Sequence, residues 1–320
     1  MTSRRLILGA IFCLIASISW GAMFPVAHVA LAHIDPFYFS FIRYLVVGII
    51  LAVILGLKEG KKAFRLEKRG LMLTFYGSMA FTVYNMCVFM GQHMAGESGP
   101  ISASIMETMM PMISIAFLWI TTKKAPPFFT IISIVIATLG AFLVSTRGDL
   151  TFFSNAAQNV FPLLFIFIGV VGWVIYSMGG SRYSDWSILR YSTLTCLLGS
   201  LVSFVIISIG TAIGVLNIPT LQQLGTIKYE MSFMILLPGL AALLCWNAGL
   251  KLLSPINGIL FINFVPVTTF LIMALQGYHI NMYELYGTLL IIFALVFNNF
   301  AGRRSHVLQP KVIKPQQMSA

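Results

Sequence analysis

The stretch Pro36–Gly70 reads PFYFSFIRYLVVGIILAVILGLKEGKKAFRLEKRG. Its first 22 residues, Pro36 to Leu57, carry a single charged side chain, Arg43, whereas Lys58 to Arg69 carries six basic ones. At about 1.5 Å per residue, a helix over the apolar part crosses the ~30 Å hydrocarbon core of a bilayer. The basic cluster that follows is too costly to bury there and ends the span at one membrane face.

The same grammar repeats in both directions. Apolar stretches bounded by charge, Pro or Gly fall at 6–30, 36–57, 70–94, 100–120, 126–146, 159–180, 187–212, 231–252, 255–276 and 282–302. Two junctions are short, Gly96 to Pro100 and Lys251 to Pro255, and each ends in a proline suited to the first turn of a new helix. The first span follows Arg4 and Arg5, is too long for a signal-peptide core and lacks a small-residue cleavage site, so it is read as a membrane helix. Over the 320 residues, 58% are hydrophobic and 9% charged, with a mean hydropathy of +0.92. A soluble domain carries about a quarter charged residues, so that class is excluded. The net charge of +11 sits in short segments beside the spans, without the basic stripes of a nucleic-acid surface, and no nucleic-acid partner is expected. Cys13, Cys87, Cys196 and Cys245 all lie inside spans without metal-ligand spacing, so they are read as packed thiols. No cofactor is expected.

Counting the spans from a cytoplasmic N-terminus puts seventeen of the twenty Lys and Arg residues on one side, all but Arg43, Arg147 and Lys228. Basic residues are retained on the cytoplasmic side, so both termini are expected inside, in the cytoplasmic membrane. The linkers Arg147 to Asn159 and Leu216 to Glu230 are then expected outside. Landmarks of the first half recur in the second in the same order. Ser19-Trp20-Gly21 pairs with Gly172-Trp173, and Asp35 with Ile42-Arg43-Tyr44 pairs with Asp185 with Leu189-Arg190-Tyr191. Tyr84-Asn85 pairs with Trp246-Asn247, and Met109-Met110-Pro111 with Phe264-Val265-Pro266. Five spans is an odd number, so a duplicated unit enters the membrane upside down. The expected fold is an all-α polytopic membrane protein of ten transmembrane helices, as two inverted five-helix repeats (1–148 and 149–302) followed by a basic cytoplasmic tail (303–320). Such repeats place a site between them in many secondary transporters.

Trp20-Gly21-Ala22-Met23-Phe24, Asp35-Pro36 followed by Arg43, the run Trp246-Asn247-Ala248-Gly249-Leu250 and the late prolines of spans four and nine resemble the EamA-type members of the drug/metabolite transporter superfamily, over nearly the whole chain. The resemblance implies a ten-helix carrier of small organic metabolites, often amino acids and related compounds. It also implies a central cavity lined mainly by helices one, three, four, six, eight and nine. After spans four and nine the family often has an acidic residue, where this chain has Thr121-Thr122-Lys123-Lys124 and Gln276-Gly277.

Glu107, seven residues into span four, lies roughly 10 Å below the membrane surface at 1.5 Å per residue. A charge at that depth faces the bundle interior, is paired, or is protonated. It reads either as a functional carboxylate, binding a substrate amino group or a coupling proton, or as half of a structural salt bridge with Arg43 at similar depth. Ser78, Thr82, Asn85, Phe89 and Gln92 form one face of span three, which lines a cavity or hydrogen-bonds neighbouring helices. Asn85 is favoured for the site by its repeat mate Asn247. Trp20 and Trp173 each lie fourteen residues into their spans, away from the interfacial belt. With Phe24 and Tyr176 they form either a stacking surface for substrate or packed core. Tyr84 and Trp246 flank the two amides. Asn263 with Pro266 offers an amide and a freed carbonyl near the repeat interface. By the pseudo-symmetry Glu107 and Asn85 lie towards the outside, and Asn247 and Asn263 towards the inside. His28 reads as an interfacial cap, and Asp35 and Asp185 as N-caps of spans two and seven.

Four alternatives compete with a secondary carrier. A channel typically needs rings of charge or carbonyls from several subunits. Gly96-Glu97-Ser98-Gly99 matches the Gly-x-Ser-Gly of intramembrane serine proteases, but in a short turn. An ATP-driven pump within this chain lacks a P-loop, and scattered acids give no metal cluster for a transferase. The reading is therefore a non-enzymatic carrier of a small polar metabolite in a lipid bilayer, with its oligomeric state left open. A single cysteine at Asn155 is expected to react with an impermeant maleimide in intact cells and one at Ala63 is not; the reverse pattern overturns the inverted-repeat reading.

Overall fold

The computed structural model describes residues 3–123, 125, 127–148, 156–253 and 258–307. Among them every regular element is helical. The long elements are α1 (Ser3–Leu31), α2 (Pro36–Glu59), α3 (Gly70–Met94), α4 (Gly99–Glu107), α5 (Met110–Thr122), α6 (Phe128–Thr146), α7 (Ala156–Gly179) and α8 (Ile188–Ala212), followed by a short α9 (Leu221–Thr226) and then α10 (Lys228–Leu253), α11 (Phe264–Leu275) and α12 (Met282–Val307). Six helices are long and apolar enough to cross a membrane: α1, α2, α3, α7, α8 and α10, the α7 span running on to Tyr183. The apolar pair α4 and α5 is bent by 45° at its break, the geometry of a broken span or of a re-entrant segment, and α6, α11 and α12 hold shorter apolar helices. The chain is a polytopic membrane protein.

Local chemistry sets most of these boundaries. Asp35 caps α2 as expected, its carboxylate accepting from Phe37 N at 2.8 Å with Pro36 in the first turn. The cap of α8 is a correction. Ser187 accepts from Arg190 N at 2.9 Å, while Asp185 is turned away to Arg69 at 3.0 Å. A hydroxyl next to the first helical residue reaches the free N–H groups; a carboxylate two positions earlier does not. The expected linker Leu216 to Glu230 contains α9, whose Thr220 and Gln223 form a capping box, a Thr-x-x-Gln signal present in the sequence. Pro100 opens α4 as expected. Pro255, Asn155, Lys311 and Lys314, and with them most of the linker 147–159 and of the tail 303–320, lie outside the described residues.

Span four is not one straight helix. Pro111 has no N–H to donate to the carbonyl of Glu107 four residues back, and the helix breaks there. Thr108 closes the break, donating its hydroxyl to Ile105 O at 2.6 Å and its amide to the same oxygen at 2.9 Å. Spans three and eight contain wider π turns, Ser78–Tyr84 and Ile235–Ala241, the second around Pro238. Such turns recur at functional sites.

The helices pack as α1 against α10 and α11, α7 against α3 and α4, α2 against α8, and α6 against α12. Two hydrophobic cores result. The main one contains Trp20, Trp173 and Trp246 together with Ala103, Met106 and Met110; the second holds Ile101, Ile105 and Met112 with Ala137, Val144, Met273 and Ile291. In the α6–α12 pair a Cβ on Gly140 would stand 2.6 Å from Gly287 O, so only glycine permits this approach. Of the basic residues that break the charge bias, Arg147 is paired with Glu284 at 2.9 Å, Lys228 sits 4.9 Å from the Tyr229 ring centre, and Arg43 is inside the bundle.

Ala63 is buried, so its silence towards maleimide would report packing; Lys61, exposed in the same loop, is the better reporter of sidedness. Gly140→Val is expected to force α6 from α12 and destabilise the protein by about 1–3 kcal/mol, read as earlier thermal unfolding in detergent.

Candidate functional site

The centre of the bundle is an aromatic cluster drawn from five helices. Trp20 on α1 meets Trp173 on α7 edge-on at 5.1 Å and Trp246 on α10 at 5.1 Å. Tyr84 on α3 and Tyr176 on α7 contact Trp173 at 5.0 and 5.3 Å. Phe81 and Tyr44 extend the cluster from Tyr176 towards α2. Five of the expected site residues, Trp20, Tyr84, Trp173, Tyr176 and Trp246, therefore come together. Edge-to-face contacts of this kind add roughly 0.5–1.5 kcal/mol each beyond the area they bury.

Glu107 reaches the same place at the last turn of α4. The Tyr84 hydroxyl donates to its Oε1, while Oε2 is buried with no hydrogen-bond partner. Of the two readings of Glu107, the salt bridge with Arg43 is not made. Arg43, fully buried, donates Nε to Met234 O at 3.1 Å and Nη1 to Asn85 Oδ1 at 3.4 Å, and its guanidinium lies 4.7 Å from the Tyr44 ring centre. Pro238 has no N–H to return to Met234 O, and the helix widens there into the π turn, on whose rim that carbonyl takes the charged donor of Arg43. Within that π turn the carbonyl of Pro238 itself accepts from Trp20 Nε1 at 3.1 Å. Arg43 Nη2 keeps an unpartnered donor and Trp173 Nε1 another, so two orphaned donors and an orphaned carboxylate oxygen are buried in the bundle. Groups of this kind, buried without partners, are costly unless something binds them.

The polar face of α3 serves mainly to join helices. Thr82 donates to Gly199 O at 2.8 Å, Asn85 takes Arg43, and Gln92 donates to Phe24 O at 2.8 Å. Phe24 itself is fully buried, one turn beyond Trp20. Asn247 donates to Tyr176 Oη at 2.9 Å and Ser192 Oγ at 2.8 Å. Asn263 turns its Nδ2 back on Leu260 O at 2.8 Å, and its buried Oδ1 has no partner. His28 lies 3.6 Å from Glu97, and the Ser98 hydroxyl donates to Ala95 O within its own turn.

The sequence reading passed over the side chains at the basic end of the bundle. Trp186 is held by Lys251, which donates to its carbonyl at 2.8 Å, and by Glu67, which accepts its indole N–H at 3.2 Å. The Arg190 guanidinium lies 3.8 Å from the Trp186 ring centre. Arg190 donates to Glu67 at 2.7 Å and holds that carboxyl below the usual carboxylate range; Arg69 does the same to Asp185. The signal available was the Tyr-x-x-Trp spacing of Tyr183 and Trp186 in a loop that the charge bias assigns to the basic face.

Trp20→Phe is expected to leave Pro238 O without its indole donor and lower thermal stability by about 1–2 kcal/mol, while Trp173→Phe, with no hydrogen bond to lose, leaves stability near wild type. Parallel unfolding scans in detergent check the contrast.

The model of the EamA-like transporter family matches the chain twice, at residues 7–146 and 160–300. A Bacillus subtilis (strain 168) protein described as uncharacterized transporter YrdR is 51% identical over 309 residues, 97% of this chain and 96% of that protein. A second from the same organism, uncharacterized transporter YyaM, is 26% identical over 88% of this chain and 90% of its own. One crystal structure, 16% identical, superposes with a TM-score of 0.67 over 93% of this chain and 98% of its own, a likeness of fold.

Proposed function

The chain belongs to the EamA-like transporter family, and from that premise we propose that it is a secondary carrier moving a small polar organic metabolite, an amino acid or related compound, across the cytoplasmic membrane by alternating access. Its ten spans form two inverted repeats, 1–148 and 149–302, with both termini and the tail 303–320 in the cytoplasm. The twofold family match supports this organisation. So does the reciprocal packing, because exchanging the halves turns the α1 contacts with α10 and α11 into those of α7 with α3 and α4. The exchange also maps Trp20 with its Trp246 neighbour onto Trp173 with Tyr84.

The observation that carries the substrate reading is the free Oε2 of Glu107, buried beside the aromatic cluster. A carboxylate with one oxygen anchored by Tyr84 and the other open accepts a substrate ammonium or a proton, but not both at once. That exclusion is the elementary requirement of proton-coupled exchange. The unpartnered Nη2 of Arg43 and Nε1 of Trp173 supply donors for a carboxylate or carbonyl on the same small molecule. Aromatic walls with a few placed polar groups are the usual make-up of a small-molecule site. Because Glu107 and Trp173 belong to different repeats, movement of one half against the other opens and closes the space between them.

Proteoliposomes test the proposal with a radiolabelled L-amino acid mixture under an imposed pH gradient. Glu107→Gln is expected to fold normally, lose concentrative uptake at least about tenfold and lose its pH dependence, whereas Tyr84→Phe, which keeps the carboxylate, retains pH-dependent uptake at reduced rate. Full, pH-dependent uptake by Glu107→Gln would overturn the coupling role. Non-saturating flux with ohmic current in the wild type would replace the carrier by a channel.

A further inference from the structure

The aromatic cluster does not end in the core. Tyr176 stacks on Tyr191 at 5.5 Å with the rings 16° apart, Tyr191 contacts Tyr183 at 5.2 Å, and Tyr183 contacts Trp186 at 5.3 Å. These rings lead from the bundle centre to a cavity of about 220 Å³ at the basic face, between the α7–α8 turn and the end of α10. Tyr183, Trp186 and Tyr191 wall it, Ser184 and Lys251 line it, and Asn247 joins it to Tyr176.

Among the residues that line this cavity, Lys251 is the one that carries a charge. Of the nearby carboxylates, Glu67 is engaged by Arg190, Asp185 by Arg69, and Glu59 accepts the Ser187 hydroxyl at 2.6 Å. Among the described residues Lys251 takes part in no ion pair and makes one hydrogen bond, to Trp186 O, which uses one of its three N–H donors. An ammonium with two free donors, serine hydroxyls and flat aromatic walls is complementary to an anion on a planar body.

We propose that this cavity is an entry vestibule that binds a planar organic carboxylate, its anion on Lys251 and its flat face along Tyr183, Trp186 and Tyr191. Its place as the first stop of a transport route rests on the carrier reading, but binding there does not. Lys251 selects charge before the ligand reaches the core, and Asn247, donating to Tyr176, stands between vestibule and cluster.

The test is a binding measurement on the full chain in detergent, with phenylacetate as probe and phenylacetamide and phenethylamine as uncharged and cationic counterparts. In Ser184→Cys, labelling by a maleimide above the wild-type background is expected to be slowed by millimolar phenylacetate and not by the other two. Adding Lys251→Gln raises the half-protecting concentration at least about tenfold, and Lys251→Arg restores protection to within a few-fold of Lys251. Absence of protection in Ser184→Cys, equal protection by phenylacetamide, or protection unchanged by Lys251→Gln overturns the vestibule. None of these readouts uses transport, so the vestibule can fail while Glu107 still couples uptake, and Glu107→Gln can retain full uptake while the vestibule still binds.

Discussion

A carbonyl inside a bilayer has no water to turn to, and each proline within a span leaves one such carbonyl four residues back. This constraint organises the bundle. Pro25 cannot serve Gly21 O, which accepts the Thr269 hydroxyl of α11 at 2.8 Å. Pro238 cannot serve Met234 O, which accepts Arg43 of α2. In each case the carbonyl that a proline cannot serve takes a side-chain donor from another helix, so a departure from regular structure becomes a fixed crossing. Where Pro111 frees Glu107 O, the helix yields instead and bends, and the carboxylate is delivered to the Trp173 cluster at the point of yielding.

How far the sequence reveals this depends on the range of each interaction. Span positions follow from partition into hydrocarbon, which depends on local composition, and the long apolar helices fall where the hydropathy places them. The Asp35 cap and the Pro100 restart are equally local. The partner of Arg43 is not, since Met234 is 191 positions away. Depth in the membrane says that a buried charge must be compensated without saying by what, and here the carbonyl of Met234 takes the place that one of the two readings gave to Glu107. The two π turns and the bend at Thr108 were legible only as prolines and small residues whose consequence waits on neighbouring helices.

The candidate site divides the same way. Trp20, Trp173, Tyr84, Tyr176 and Trp246 were marked by large aromatics at mid-span depth, and they meet. Asn85 and Asn247 were marked by their polarity, which the structure commits to Arg43, Tyr176 and Ser192. Asn263 serves its own turn. Lys251 and Trp186 escaped notice because a charge near a span end is already explained by topology, and that sufficient explanation conceals a second use.

The bent pair α4–α5 has a different neighbour on each side. Ile101 and Ile105 are embedded in the smaller core with α6 and α12, while Ala103, Met106 and Met110 belong to the main one. A rod gripped along both flanks cannot slide without tearing two packed surfaces, yet it can swivel at its joint while each grip holds. Glu107 sits at that joint, where a few degrees of swivel change what its free oxygen faces. The protein thus carries its ionisable group on an axle, at the position of least travel and greatest change in surroundings.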